Sequence, residues 1–255
     1  IIEKNGRRAG IYACAEHEFT IATATKAGAN PYDALYSFDH VAELKEKCDY
    51  VIVMYHGGKA YYRYPSPDIQ RICHRFIEKG ADLVVTQHTH CIGCREEYNN
   101  GIIVYGQGNF LFNQGVYGNR DYYSSGLLLK IDIDDEKKVE EIPVILNEYG
   151  GVSLPDKEKK DELLRGYRQR SNNILSTGFI EKNYSLFARK NIDVYLRNSL
   201  GYINTNIFMR ILNRLMGRKL FYLLTNRKHR LSILNSIECE AHRELFIKGL
   251  KDIIK

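Results

Sequence analysis

A chain of 255 residues that is 44% hydrophobic and 11% aromatic can bury a real core, which excludes a collagenous, low-complexity or disordered polymer. No apolar run approaches the roughly eighteen residues of a membrane-spanning helix, and the start lacks the basic, apolar, small-residue pattern of a signal peptide. The formal charge of +6 is uneven: residues 1–155 hold 16 basic against 21 acidic side chains, and residues 156–255 hold 21 against 10. The basic second part suits an anionic polymer, nucleic acid or membrane headgroups, or is a solvated helical surface.

Residue 1 is isoleucine and the sequence enters what reads as the middle of a domain, so the chain is expected to be the later part of a longer protein. From Arg8 to about Leu146, short apolar runs alternate with amphipathic segments, an α/β pattern. Strands are expected over 9–13, 50–55, 81–86, 101–105, 126–133 and 139–146, with Asp134 to Lys137 as a hairpin turn between the last two. Asp33 to Cys48 and Pro67 to Lys79 have helical spacing, and the second is delimited by Pro67 in its first turn and Gly80 after its end. Beyond Gly150-Gly151 and Pro155 the chain turns helical, over 157–170, 180–189, 206–224 and 237–254. Two regions follow from this reading, 1–150 and 151–255. Six cysteines lie outside any disulfide-framework spacing and read mostly as buried thiols, which favours a reducing, cytoplasmic setting for this part.

The chemistry concentrates at strand ends, where an open α/β sheet gathers its ligands. The run ending at Tyr55 delivers His56, and the run ending at Thr86 delivers His88-Thr89-His90, so two neighbouring strands bring three histidines to one side. Glu16-His17-Glu18 follows the first strand, and Asn109 sits in a glycine-rich loop after the fourth. Imidazoles with carboxylate or amide partners suit zinc, iron or manganese better than calcium or magnesium. His56, His88 and His90 are therefore the candidate catalytic and metal-ligating residues, with Glu16, Glu18 and Asn109 on the substrate side. Cys91-Ile92-Gly93-Cys94 has a ligand-like spacing, but no second pair exists and packing beneath the loop is the favoured reading. Gly57-Gly58 reads as a place where backbone passes close to metal or substrate.

The string Asp49 to Gly58, with Tyr61, Pro65, Gln70, Gly80 to Val84, His88-Thr89-His90, Glu96, Tyr98 and Tyr105 to Phe110, resembles the second half of the bacterial capsule synthesis protein CapA family. That family is also named for poly-gamma-glutamate synthesis and belongs to the calcineurin-like metallophosphoesterase fold group. The resemblance covers roughly residues 9–133 and leaves the basic tail uncovered. It implies a four-layer α-β-β-α sandwich, here lacking its N-terminal part and followed by an all-helical region. It also implies a centre of two divalent transition metal ions, with His56 and His88 on one and His90 on the other. Three positions depart from the pattern: Gln87 stands where the fold group has Gly, and Gly57 and Ala60 where the CapA pattern has Trp and Glu. The family's aspartates and asparagine-histidine motif lie upstream of what corresponds to Ile1, so the opposing half of both metal shells is expected outside this chain.

Two functions are expected from the resemblance and the charge. One is a metal-dependent hydrolase of phosphoesterase type acting on an anionic cell-surface polymer or its precursor. The other is a non-catalytic assembly factor whose basic helices bind such a polymer, a membrane or a polymer synthase. No recognisable nucleic-acid-binding module accompanies the basic charge.

Overall fold

A computed structural model of the chain describes residues 1–17, 21–111, 123–133, 138–147, 151–199, 206–238 and 250, without the side chains of 193–199 and 236. It divides into two compact units, Ile1–Leu186 and Phe187–Lys255.

In the first unit, strands β1 (Ile2–Lys4), β2 (Arg7–Ala15), β3 (Tyr50–His56), β4 (Leu83–Gln87), β5 (Ile92–Tyr98) and β6 (Gly101–Gln107) form one sheet in the order β1-β2-β3-β4-β6-β5. The four inner strands are parallel, and β1 and β5 are antiparallel edges. Because the parallel core is covered on both faces, its strands are continuous apolar runs rather than alternating ones. On β3, Val51, Val53 and Tyr55 face α1 (Ser37–Lys45) and α2 (Pro67–Glu78), where Val41, Cys73 and Phe76 complete the main core. The intervening Tyr50 and Ile52 point the other way with Leu83, Val85 and Val104. There they meet Leu129, Ile131 and Val139 of a second, antiparallel sheet made of β7 (Ser125–Ile131), β8 (Val139–Leu146) and β9 (Val152–Ser153).

The architecture is thus mixed α/β, with helices on one face of the large sheet and the small sheet on the other. Among the described residues this makes three layers, helices, large sheet and small sheet. Helix α3 (Lys157–Ile174) lies along edge strand β5: Arg170 Nε donates to the Gly93 carbonyl at 2.7 Å, Ser171 Oγ accepts from the Arg95 N–H at 2.8 Å, and Tyr167 is buried with Ile92 and Leu127.

Local signals place α2 as expected. Ser66 caps it by accepting from the Ile69 N–H at 3.2 Å, Pro67 occupies the first turn, and Gly80 leaves it at φ 104°. Strand β5, by contrast, is not among the expected strands. Its sequence, Ile-Gly-Cys-Arg-Glu-Glu-Tyr, has no period of two because its carboxylates and Arg95 are paired within the fold. Glu96 bonds Gln70, His74 and Tyr105, and Arg95 bonds Glu97 and Glu141. The β1–β2 hairpin is likewise unexpected, although its turn, Asn5-Gly6 at φ 52° and 74°, is of the kind that joins two strands directly. The turn expected over 134–137 lies outside the described residues.

In the second unit, the single helix expected over 206–224 is two. Helix α4 (Phe179–Ser199) begins in the first unit and ends before α5 (Ile207–Leu215), and Gly217 and Arg218, both left-handed at φ 59° and 65°, separate α5 from α6 (Leu220–Leu224). Buried Asn213 fixes that break: its Oδ1 accepts from the Leu220 N–H at 3.2 Å and its backbone carbonyl from the Arg218 N–H at 2.7 Å. A further helix, α7 (Arg227–Glu238), begins earlier than the one expected from Ile237, most of which lies outside the described residues.

Candidate metal centre

Parallel pairing brings the carboxyl ends of β3, β4 and β6 side by side. His56 is the register partner of Gln87, so His88, one residue on, stands beside His56. His56 Nε2 and His88 Nδ1 are 3.1 Å apart, with the rings edge to face. The contact is a hydrogen bond in which one ring donates and the other accepts. It is also the spacing of two ligands on one ion, since nitrogens about 2.0–2.1 Å from a metal at right or tetrahedral angles lie about 2.9–3.4 Å apart.

His90 is oriented separately. Its Nδ1 lies 2.9 Å from Asn109 Oδ1. Asn109 is buried, and its Nδ2 donates to the Tyr123 carbonyl at 2.9 Å, which turns Oδ1 toward the imidazole. His90 therefore donates through Nδ1 and carries its lone pair on Nε2, the tautomer a ligating histidine needs. Tyr123 stacks on the His90 ring at 5.8 Å and 13°, and Tyr61 lies against it at 6.2 Å.

The loop is held in a conformation L-residues seldom adopt. His88 and His90 both have positive φ, 84° and 55°. Between them Thr89 is buried and tied down: Oγ1 donates to the Cys91 carbonyl at 3.1 Å, and the Thr89 carbonyl accepts from the Tyr61 N–H at 2.8 Å. The fixed Thr89 turns the flanking imidazoles outward. Gly58 (φ 128°) leaves room for it, since a Cβ there would stand 3.1 Å from Thr89 Cγ2. The expectation for Gly57-Gly58 is thereby refined: the close approach is to Thr89 and to the Glu16 side chain.

His56, His88, His90 and Asn109 line an open cleft of about 580 Å³ together with Gln87, Gln107, Met54, Phe110 and Leu128. Gln87 Nε2 donates to Gln107 Oε1 at 2.8 Å and Gln107 Nε2 to the Leu127 carbonyl at 3.3 Å, tying β4 to β6 and to the small sheet. Asn109, expected on the substrate side, is the group that orients His90. Glu16 leaves β2 beside His56, its N–H donating to the His56 carbonyl at 2.9 Å. Glu18 lies outside the described residues. Among the described residues, no three His, Cys, Asp or Glu side chains are close enough to form a metal set. Cys91 and Cys94 are fully buried free thiols, and burial raises the pKa of both, so they are packing groups. Among the described residues the site thus holds an adjacent nitrogen pair and an oriented third imidazole, with no third His, Cys, Asp or Glu close enough to the pair to complete a set.

Tyr61, Tyr123 and Gln107 were not singled out for this site from sequence. Gln107 is the last residue of β6, and Asn109 follows it beyond Gly108, whose φ of 74° ends the strand's alternation.

Residues 1–114 match the family model of the bacterial capsule synthesis protein PGA_cap. The CapA resemblance is thereby shown for this portion. Among characterised proteins, the chain is similar to the PGA biosynthesis protein CapA of Bacillus subtilis (strain 168), at 29% identity over 136 residues, which is 53% of this chain and 34% of that protein. It is also similar to the capsule biosynthesis protein CapA of Bacillus anthracis, at 33% identity over 105 residues, 40% of this chain and 26% of that protein. The matched length is thus about a third of the first CapA relative and a quarter of the second. His56, His88, His90 and Asn109 all fall inside residues 1–114, which match the family model, and the second unit lies beyond them.

Proposed function

We propose that this chain belongs to a protein of capsule or cell-surface polymer biosynthesis, and that the His56–His88–His90 cleft is one wall of a divalent transition metal centre for hydrolysis. The biosynthetic role is supported by the CapA relatives. The metal reading is supported by one observation above others, the 3.1 Å approach of His56 Nε2 to His88 Nδ1 beside a His90 whose tautomer Asn109 sets. His56 and His88 would hold one ion and His90 a second, within a four-layer metallophosphoesterase-like sandwich completed by residues outside this chain. A bound divalent ion supplies Lewis acidity at the attacked phosphoryl or acyl group. The chain's own residues bind and orient: Asn109 keeps Nε2 of His90 facing the cleft, and the Gln87–Gln107 pair holds the two strand ends at a fixed separation. The substrate class is an anionic cell-surface polymer or its precursor. The test is metal content and hydrolysis of phosphoester and γ-glutamyl model substrates by the full-length protein. Loss of both on His88→Ala is expected, and a full-length wild type with metal at background overturns the reading.

A second reading is a scaffold that assembles a polymer synthase without catalysis. It is supported by the basic charge of residues 156–255, 21 Lys and Arg against 10 Asp and Glu, which suits an anionic polymer or a synthase partner. Under it, His88→Ala in the full-length protein leaves polymer yield unchanged.

A further inference from the structure

We propose that the helices of the second unit form a docking surface for an anionic lipid bilayer, lying in its interface rather than crossing it. The observation is an inverted amphipathic helix. Helix α5 has its apolar residues at helical spacing, and at about 100° per residue Ile207, Phe208, Ile211, Leu212 and Leu215 fall within an arc of about 140°. In a helix packed on its own core that arc is the buried side. Here it is the exposed one: Phe208 and Leu215 are 78% and 79% exposed, while Asn213, on the opposite side, is 4% exposed and locked into the turn before α6. The pattern repeats. Leu223 on α6 is 65% exposed, and α7 exposes Leu231, Leu234 and Ile237 at i, i+3 and i+6.

The charge accompanying these residues has one sign. Residues 206–238 carry seven Lys and Arg and a single acid, Glu238. Arg210 and Arg214 fall just outside one border of the α5 apolar arc, where long cationic side chains reach headgroups while their stems lie along acyl chains. A soluble polyanion, whether nucleic acid or polyglutamate, would satisfy the cations and leave Phe208, Leu215 and Leu223 in water. An anionic bilayer takes both. Among the described residues no helix is long and apolar enough to span a membrane, so the helices lie flat on it. Attraction of clustered Lys and Arg to acidic headgroups adds to apolar insertion and is weakened by salt.

The test uses the full 255-residue chain in flotation with phosphatidylcholine vesicles with and without phosphatidylglycerol. Binding is expected only to the anionic vesicles. The double variants Phe208→Ser/Leu215→Ser and Arg210→Gln/Arg214→Gln should each weaken it roughly tenfold or more with the circular dichroism spectrum unchanged, since all four side chains are exposed. The chain has no tryptophan, so Phe208→Trp introduces a single reporter. Its emission should shift to the blue on adding anionic vesicles and stay put on adding polyglutamate or nucleic acid. Absence of vesicle binding overturns the proposal. So does vesicle binding that is indifferent to Phe208→Ser/Leu215→Ser, or binding to the soluble polyanions that vesicles fail to displace.

Discussion

Asn109 and His90 act as one group. The amide that accepts from His90 Nδ1 at 2.9 Å also donates to the Tyr123 carbonyl at 2.9 Å, so it cannot rotate without losing both bonds. Asn109→Ala removes them together and leaves a buried carbonyl without its amide partner, a change expected to cost about 1–3 kcal/mol. It should also let His90 redistribute between its two neutral tautomers. Nitrogen-15 shifts of the His90 ring measure this: wild type is expected as the Nδ1–H form, and an unchanged spectrum in Asn109→Ala would show that Asn109 does not set it.

His88 carries a different burden, its left-handed backbone at φ 84°. A non-glycine residue so placed stores roughly 1 kcal/mol or more, which persists only when the surroundings impose it. His88→Gly should therefore be more stable than His88→Ala by about 1 kcal/mol in urea unfolding, because glycine takes positive φ without a Cβ penalty. Both variants lose the imidazole, so both should lose metal in the full-length protein if the proposed centre exists. Equal stability of the two would remove the strain argument.

The part of this arrangement visible in sequence was the part set by local pattern. His56 and the His88–His90 pair stand after continuous apolar runs, and such runs are buried parallel strands whose carboxyl ends face one way. Ser66, Pro67 and Gly80 marked α2 by the same local chemistry. Strand β5 was not legible, because its polar residues are satisfied only by partners distant in sequence, Glu141 for Arg95 and Gln70 for Glu96. The break between α5 and α6 is not legible in sequence, because it depends on the bond from the Leu220 N–H to buried Asn213 Oδ1. Tyr123 is brought to His90 by the bridge of Gly108 to Gly126 and by the bond of Asn109 Nδ2 to its carbonyl, pairings no periodicity announces.

Gly93 gives a sharp test of how closely β5 and β6 lie. A Cβ built there would stand 1.6 Å from the Tyr105 carbonyl oxygen, and the Gly93 carbonyl is the acceptor for Arg170. No rotamer relieves a backbone clash, so Gly93→Ala must separate β5 from β6 or shift α3. A loss of more than about 4 kcal/mol is expected, the range reserved for disrupted cores. A soluble Gly93→Ala protein with wild-type unfolding would mean that β5 is not held as described.

Glu96 ties the same strand to α2, and its ionisation gives the fold an acid limb. Burial by itself would push its carboxyl up, but hydrogen bonds from His74 at 3.0 Å, Tyr105 at 2.6 Å and Gln70 at 3.1 Å outweigh burial and hold its pKa below the usual carboxylate value. A carboxyl with a depressed folded pKa stabilises the fold above its unfolded pKa, and that stability is lost as pH falls through the folded one. The loss should begin near pH 4.5, the unperturbed value, and continue below it. Glu96→Gln keeps the shape but turns one acceptor into a donor that faces donors, at a cost of about 2–3 kcal/mol at neutral pH. Its stability should then vary less with pH below that point than wild type does, so the two urea-midpoint curves converge in acid. Parallel curves would assign the acid limb to other carboxylates and leave Glu96 as a hydrogen-bond acceptor only.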